Sequence, residues 1–151
     1  MKKRLLCLVL SLLMFLSVFP VVQASSPAEE QIIYLDDGRY IVVTIDVSVS
    51  RSIYSKTGQT KYESFSSDGI LEWKIVLNAT YIYTGTSATC TQSTISVTVY
   101  ADNWYEVSKT AGKSGASATG SVTMGRKVLG VTVAKETYDL SLTCSPTGTL
   151  S

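Results

Sequence analysis

Hydrophobic and polar residues alternate along most of the chain after about residue 30, with the period of two that is typical of β-strands. The clearest stretch is 39–49, where Ile41, Val43 and Ile45 share one face and Thr44 lies on the other. Such a long alternation predicts a strand with one face on a hydrophobic core.

The same alternation predicts further strands, separated by turn signals such as Asp36-Asp37-Gly38 and Ser66-Ser67-Asp68-Gly69. They cover residues 31–35, 39–49, 52–65 as a hairpin turning at Thr57-Gly58-Gln59, 70–83, 94–100, 104–107, 122–124, 127–134 and 138–144. Residues 111–120 are small and polar and are expected to form a loop, and Gly125 is expected to mark a turn. Strand 70–83 is longer than usual, so we expect a β-bulge along it.

Eight or nine short strands with no helical periodicity predict an all-β fold, most simply an antiparallel two-sheet β-sandwich. A closed β-barrel is the alternative. The architecture resembles that of immunoglobulin domains, but their order places the core Trp between two Cys. Here Trp73 precedes both Cys90 and Cys144, so the strand order is left open.

The first 24 residues have a different character, which is that of a secretory signal peptide. A basic start at residues 2–4 precedes an apolar run over 5–19, and Val22-Gln23-Ala24 provides the small-x-small cleavage pattern. We expect cleavage between Ala24 and Ser25. An uncleaved membrane anchor is the alternative, but the apolar run of about 15 residues is short for a bilayer.

This leader divides the chain into a signal peptide at 1–24, a short flexible segment at 25–30 and one β-sandwich domain at 31–151. The mature protein is expected to be secreted, with no membrane span. The leader holds three of the 13 basic residues, so ten remain against 12 acidic ones and the mature net charge is about −2. Charge of this size, with Lys and Arg scattered singly, argues against a nucleic-acid partner.

Only two cysteines follow the leader, Cys90 and Cys144. An even pair in an exported chain predicts one disulfide, whose loop of more than 50 residues would contribute about 4 kcal/mol in the chain-entropy model. Two buried free thiols are the alternative. A metal site is not expected, because two Cys without any His leave too few ligands for zinc.

The chain contains no histidine, which excludes Ser-His-Asp and Cys-His nucleophile systems and His-based metalloproteases. A carboxylate pair acting on a glycosidic bond would need a separation of roughly 5–10 Å. Asp102 with Glu106, or Glu72 with Asp46, could be such a pair, but these residues are more simply solvated charges. We therefore expect a protein that is not an enzyme and uses no cofactor.

Three segments give the chain a resemblance to known proteins: Glu72-Trp73-Lys74, the run 83–90 (YTGTSATC) and the run 142–148 (LTCSPTG). Together with the leader, they make the chain similar to small secreted β-rich proteins of Gram-positive, gut-type bacteria. The resemblance implies export and a β-rich domain, and it implies no activity.

The aromatic residues Tyr100, Trp104 and Tyr105 bracket a predicted turn, where rings could bind a sugar or a protein ligand. Ordinary packing is the alternative for them.

The predicted function is an exported, non-catalytic binding module for a carbohydrate, an envelope polymer or a protein. A secreted effector or antimicrobial polypeptide acting on another cell's surface is the alternative. The sequence shows no evident membrane-active segment, which favours the binding module.

Overall fold

A computed structural model describes residues 29–48 and 54–151, and within these ranges it contains β-strands and no helix. The predicted leader and its cleavage site between Ala24 and Ser25 lie outside the described residues. None of the described segments is a helix of the length and apolarity needed to cross a bilayer. The strands are β1 (Glu29–Tyr34), β2 (Tyr40–Ser48), β3 (Ser55–Phe65), β4 (Leu71–Tyr83), β5 (Ala88–Val99), β6 (Trp104–Ser114), β7 (Ser117–Val128) and β8 (Val131–Thr143).

The eight strands form two antiparallel sheets. Sheet A has the order β1-β2-β3-β4-β5 and sheet B the order β6-β7-β8. The predicted all-β, two-sheet architecture is confirmed, and the described strands do not close into a barrel. Each strand pairs with its neighbour in sequence, so the order is a simple meander and differs from the Greek key of immunoglobulin domains.

The meander gives the molecule two ends. The turns after β1, β3, β5 and β7 lie at one end, called the upper end below. The last residues of β2 and the turns after β4 and β6 lie at the lower end, together with the C-terminal residues. Sheet B lies over β3, β4 and β5 of sheet A.

The core lies between β4 and β7. Alternate residues of β4 point inward, and so do alternate residues of β7; the buried apolar residues of the two strands are Trp73, Ile75, Leu77, Ala79, Tyr81, Ala118, Val122 and Met124. Burying each of the larger side chains is worth roughly 1.5–3 kcal/mol relative to exposure. Gly120 lets the sheets approach closely, because a Cβ atom there would lie 2.6 Å from Ile95 Cδ1.

The lower end is closed by the C-terminal residues. Ser151 and Thr143 exchange backbone hydrogen bonds of 2.8 and 3.0 Å, which extends sheet B beside the end of β8. Leu150 packs onto Gly58 of β3, where a Cβ atom would lie 2.3 Å from Leu150 Cδ1. Lys56 Nζ donates to the Gly148 carbonyl over 2.6 Å.

Three sequence predictions about turns are wrong. The predicted turn at Thr57-Gly58-Gln59 lies within β3, because the glycine there makes room for Leu150. The predicted loop at 111–120 forms the ends of β6 and β7, and only Gly115 and Ala116 turn between them. Gly125 lies inside β7, where its missing side chain makes room for the Tyr105 ring.

The predicted bulge in the long fourth strand is confirmed. Glu72 of β4 is skipped in the register with β3, so it is the extra residue of a bulge within the predicted strand. A second bulge lies in the neighbouring strand, where Thr91 of β5 is skipped in the register with β4. The bulges let these long strands bend around the core.

Candidate functional site

The structure does not bring the three predicted ligand-binding rings together. Trp104 is buried, with 4% of its surface exposed, whereas Tyr100 is exposed in the turn before β6. Tyr105 follows Trp104 in a strand and therefore points to the opposite face, where its ring lies over Gly125. Trp104 is thus a core residue, because the upper end of the sandwich closes over it.

Two guanidinium groups and a second indole surround Trp104. The Cζ atoms of Arg39 and Arg126 lie 5.0 and 6.0 Å from the Trp104 ring centroid. The Trp73 ring packs edge-on at 6.1 Å. Cation–π contacts of this kind are worth about 0.5–2 kcal/mol, and more when they are desolvated. Trp104 therefore links the turn before β2 to β7 and β4.

Carboxylates on both sides neutralise these arginines. Arg39 Nε lies 2.7 Å from Asp37 Oδ2, and its Nη2 lies 2.9 Å from Glu136 Oε1. Burial disfavours the Arg39 charge, but the hydrogen bonds to both carboxylates outweigh it and raise the Arg39 pKa. The hydrogen bond from Arg39 lowers the pKa of Asp37. This network ties β8 to the turn between β1 and β2.

The same cluster has more donors than acceptors. Four of its N–H groups are buried without a hydrogen-bond acceptor among the described residues: Trp73 Nε1, Trp104 Nε1, Arg39 Nη1 and Arg126 Nε. Nearby Tyr138 donates to Glu136, and burial followed by this hydrogen bond raises the pKa of the Tyr138 phenol. Tyr138 therefore keeps its proton and its hydrogen bond to Glu136, and the ion pairs and ring contacts make this cluster a structural clamp between the sheets.

A different surface has the features of a binding site, namely the outer face of sheet B. Strand alternation turns the residues between the core positions of β6, β7 and β8 outward. They are predominantly hydroxyl-bearing: Ser108, Thr110, Ser117, Thr119, Ser121, Thr123, Thr137, Asp139, Ser141 and Thr143. We call this surface the hydroxyl face.

The hydroxyl face contains a depression of about 450 Å³ in its middle. One wall is the row Thr110, Ser121 and Asp139, and the opposite wall is the row Gly112, Thr119 and Ser141. The floor is the backbone of the inward-facing row between them. A volume of this size lies in the range of small-molecule binding sites.

The hydroxyls around the depression differ from those beyond it. Above it, Thr123 Oγ1 and Thr137 Oγ1 are 2.9 Å apart and hydrogen-bonded, and below it Ser117 Oγ and Thr143 Oγ1 are paired at the same distance. The hydroxyls lining the depression, in contrast, bond to no side chain of the described residues. They are therefore free to donate to a ligand and to accept from it.

The strand that carries Asp139 and Ser141 is held from behind. Tyr62 Oη donates to the Asp139 carbonyl over 3.3 Å, and Thr60 Oγ1 donates to the Ser141 carbonyl over 3.1 Å. Burial and then the Asp139 charge raise the pKa of Tyr62, so the phenol keeps its proton and its hydrogen bond. Two β3 side chains thus hold the strand that contributes Asp139 to one wall of the depression and Ser141 to the other.

A second depression of about 270 Å³ adjoins the first around the edge of β6. It lies between Thr91-Gln92-Ser93 of β5 and Ala111-Gly112-Lys113 of β6, and it shares Ala111 and Gly112 with the first. Lys113 Nζ donates to the Thr91 carbonyl across this gap. The two depressions together form a polar track from the outer face of sheet B towards β5.

Tyr105 lies on the hydroxyl face at its upper end. Its register partner Gly125 lies two outward-facing rows above Ser121, which corresponds to roughly 13 Å. Tyr105 Oη is 2.8 Å from Thr132 Oγ1, and Lys127 Nζ lies 4.5 Å from the ring centroid. Of the three predicted rings, Tyr105 is the one that shares a face with the depression.

Cys90 and Cys144 are both buried and are free thiols in the structure, so the predicted disulfide is not present there. Their backbones flank the same turn, because Cys90 N donates to Gly115 O over 2.7 Å and Cys144 N donates to Ala116 O over 3.0 Å. Burial raises the pKa of both thiols. The inward orientation predicted for Cys144 is confirmed.

Three of the four carboxylates considered for catalysis, Glu72, Asp46 and Glu106, have other partners. Glu72 is buried beside Ser64 Oγ at 3.4 Å, whereas Asp46 pairs with Lys61 on the outer face of sheet A. Asp46 is level with Asn78, six residues or roughly 20 Å along β4 from Glu72. Glu106 pairs with Lys109 at 3.0 Å. The described residues include no group of three or more potential metal ligands.

The sequence contained a signal for the hydroxyl face. Thr119, Ser121 and Thr123 alternate with apolar residues, and so do Thr137, Asp139 and Ser141 downstream, except that Gly120 takes one of the apolar positions. The prediction of a loop over 111–120 concealed the first half of this pattern.

No family model matches the chain, and neither a curated protein nor a solved structure is similar to it. The function is therefore inferred from the geometry and chemistry of the described residues.

Proposed function

We propose that the protein is an exported, non-catalytic binding module whose hydroxyl face binds a carbohydrate. The observation that carries this proposal is the depression of about 450 Å³ lined by hydroxyls without side-chain partners and by the Asp139 carboxylate. Binding to an envelope polysaccharide or a secreted glycan would fit a protein outside the cell.

The chemistry of the depression matches a polyol better than other ligands. Each Ser or Thr hydroxyl can donate one hydrogen bond and accept others, and a carboxylate accepts several. The sugar hydroxyls need this mixture of neutral donors and acceptors. The walls hold no cationic side chain and no large apolar one, so they offer little to a phosphate or a lipid chain.

The polar surface continues beyond the first depression, so the hydroxyl face would accommodate more than one sugar ring. The second depression continues the polar surface around β6, and Tyr105 offers a ring towards the upper end. An oligosaccharide spanning these features would make hydrogen bonds in the centre and stacking contacts at Tyr105. The exposed position of Lys127 above this ring lets it move aside.

The test is a binding screen of residues 25–151 against peptidoglycan, mucin and a panel of neutral glycans. We expect saturable binding to at least one of them. Thr119→Tyr should weaken it by about tenfold or more, because the new ring would lie over Gly112 and fill the depression. Asp139→Asn should weaken it less, by removing the charge and keeping the shape.

The matched control is Thr94→Tyr, the same exchange at an exposed strand position of sheet A. It should leave binding unchanged. Failure of every glycan to bind, or equal binding by Thr119→Tyr and the wild type, would contradict the proposal.

We propose that the chain is exported by its 24-residue leader and that Cys90 and Cys144 pair outside the cell. The supporting features are the basic and apolar pattern of the leader and the position of both cysteines beside the turn at Gly115 and Ala116. Amino-terminal sequencing of the protein from culture medium should start at Ser25. A protein that keeps the leader or stays with the cells would refute the export proposal.

A further inference from the structure

The hairpin between β7 and β8 ends in an exposed apolar tip at the upper end of the molecule. The turn residues Leu129 and Gly130 both have positive φ, of 50° and 81°. This turn geometry strongly favours Asn, Asp or Gly, and a leucine in it is unusual. Its side chain is fully exposed and therefore gains no contact within the protein that would offset this conformation.

Four large aliphatic side chains surround the tip. Their exposed fractions are 50% for Val128, 100% for Leu129, 66% for Val131 and 56% for Val133. The hairpin backbone is well anchored below them, because Tyr105 Oη lies 2.8 Å from Thr132 Oγ1 and Lys127 N donates to Asn103 O over 2.7 Å. The tip is thus an apolar projection on a fixed base.

The hairpin that carries the tip has basic residues and no acidic ones, and the nearest turn, which contributes Asn103 to the hairpin, holds Asp102. Residues 126–135 contain Arg126, Lys127 and Lys135 but no Asp or Glu. Arg126 turns inward to Asp37, 3.5 Å away, while the two lysines are exposed and form no ion pair with the described residues. Glu136, the next residue along, is directed into the sandwich by Arg39.

We propose that this tip inserts into the interfacial region of an anionic lipid membrane. The four aliphatic side chains would lie among the upper acyl chains, and Lys127 and Lys135 would reach the phosphate groups with their long stems along the apolar surface. An anionic surface attracts such lysines directly. The sequence expectation that no membrane-active segment is present would then be wrong.

The shape of the tip favours a lipid surface over a protein partner. Leu129 projects from a two-residue turn beyond Val128 and Val131, which are register partners on one face, so a rigid partner would need a deep socket around the projection. A fluid acyl layer closes around such a projection without a socket. The tip lies at the upper end and the depression on the hydroxyl face, so the two proposed sites can be tested separately.

The experiment measures cosedimentation of residues 25–151 with vesicles of phosphatidylcholine, with or without phosphatidylglycerol. This segment contains all eight strands and the described core, and it lacks the apolar leader that would itself bind lipid. We expect binding to the vesicles with phosphatidylglycerol. Leu129→Asn should weaken it by roughly tenfold or more, since a buried leucine is worth a factor of that order.

Thermal unfolding shows whether that variant is folded. Asn adopts positive φ more readily than Leu, so Leu129→Asn should have an unfolding midpoint equal to or above that of the wild type. The double variant Lys127→Gln/Lys135→Gln should remove the preference for phosphatidylglycerol. Ile82→Thr, at a half-exposed position near the lower end, is the matched control and should bind like the wild type.

Three results would overturn the proposal. The first is a wild type that does not sediment with either kind of vesicle, and the second is undiminished binding by Leu129→Asn. The third is self-association without lipid that Leu129→Asn abolishes, because the tip would then belong to an interface between two copies. The glycan screen uses no lipid, so its outcome is independent of this one.

Discussion

Consecutive residues of a strand can have opposite environments, and Trp104 and Tyr105 show this directly. The sequence places both beside a turn and so predicts a shared ligand surface for them. Strand geometry instead sends Trp104 into the core and Tyr105 onto the hydroxyl face. The period-two alternation of a strand, if it is applied to Trp104 and Tyr105, places their side chains on opposite faces.

We expect Trp104→Ala to lower the free energy of unfolding by about 3–5 kcal/mol, because it removes a buried ring with its two cation contacts. Tyr100→Ala, at an exposed turn position, should change it by less than about 0.5 kcal/mol. Urea denaturation of the two variants measures the difference. Similar midpoints for both would contradict the buried position of Trp104.

The charged clamp around Arg39 gives stability a defined response to acid. Because the folded-state pKa of Asp37 lies below its unfolded value of 3.8, its contribution is present above that value and is lost as pH falls through the folded pKa. The urea midpoint should therefore decrease below about pH 4. Asp37→Asn should be less stable at pH 7 and show a smaller decrease between pH 5 and pH 3. Parallel pH profiles for the two proteins would argue against this assignment.

Glycines within strands explain most of the errors at the scale of elements. Gly58 and Gly125 were interpreted as turns because glycine commonly occupies them. In the structure each lies inside a strand, where a side chain from elsewhere occupies the space above it. That neighbour comes from β6 or from the C-terminal residues, so a local pattern could not identify it.

The strands with strong apolar alternation were predicted well. β2 and β4 differ from their predicted ranges by one residue at the ends, because their inward faces carry an apolar residue at every second position. β6 has one buried residue, Trp104, and one half-buried residue, Tyr105, and its remaining positions are exposed. Its small polar residues gave no hydrophobic period, although backbone pairing with β7 holds it as a strand.

Two glycines on opposite faces of sheet B should respond differently to the same change. Gly120→Ala should destabilise the protein by about 1–3 kcal/mol, because the new Cβ would lie 2.6 Å from Ile95 Cδ1 and 3.2 Å from Leu77 Cδ1. Gly112→Ala places its Cβ 3.1 Å from Thr119 Oγ1 on the outer face, where that side chain can rotate. Its unfolding midpoint should stay close to that of the wild type, and equal losses in both variants would contradict the sheet packing described above.

At the scale of the whole molecule, different contacts hold the two sheets together at the two ends of the sandwich. The upper end has the Trp104 clamp, and at the lower end the C-terminal residues pack onto β3 and extend sheet B. Pairing of the two cysteines and export of the chain follow from counting and from the leader, and both stay predictions. The sequence could not predict the clamp, whose members Asp37, Arg39, Arg126 and Glu136 are far apart in the chain.

Counting thiols in protein recovered from culture medium tests whether Cys90 and Cys144 form a disulfide. After unfolding in denaturant without reductant, a paired Cys90 and Cys144 should take up no iodoacetamide, and prior reduction should expose two thiols. Reduction should also lower the thermal midpoint, because the paired loop restrains the unfolded chain. Two reactive thiols without reduction would show that the pair is free. In native protein these would still react slowly, since burial raises the pKa of both.

The meander order has a consequence for how the chain acquires its structure. Every strand pairs with one that precedes or follows it directly, so each hairpin can form as soon as its second strand is available. Contacts between sequence neighbours favour rapid folding for a β-protein. A chain that crosses a membrane from its amino end could therefore complete sheet A before β6 emerges. Sheet B would then fold against the completed sheet A, and Leu150 and its neighbours would be the last residues to pack.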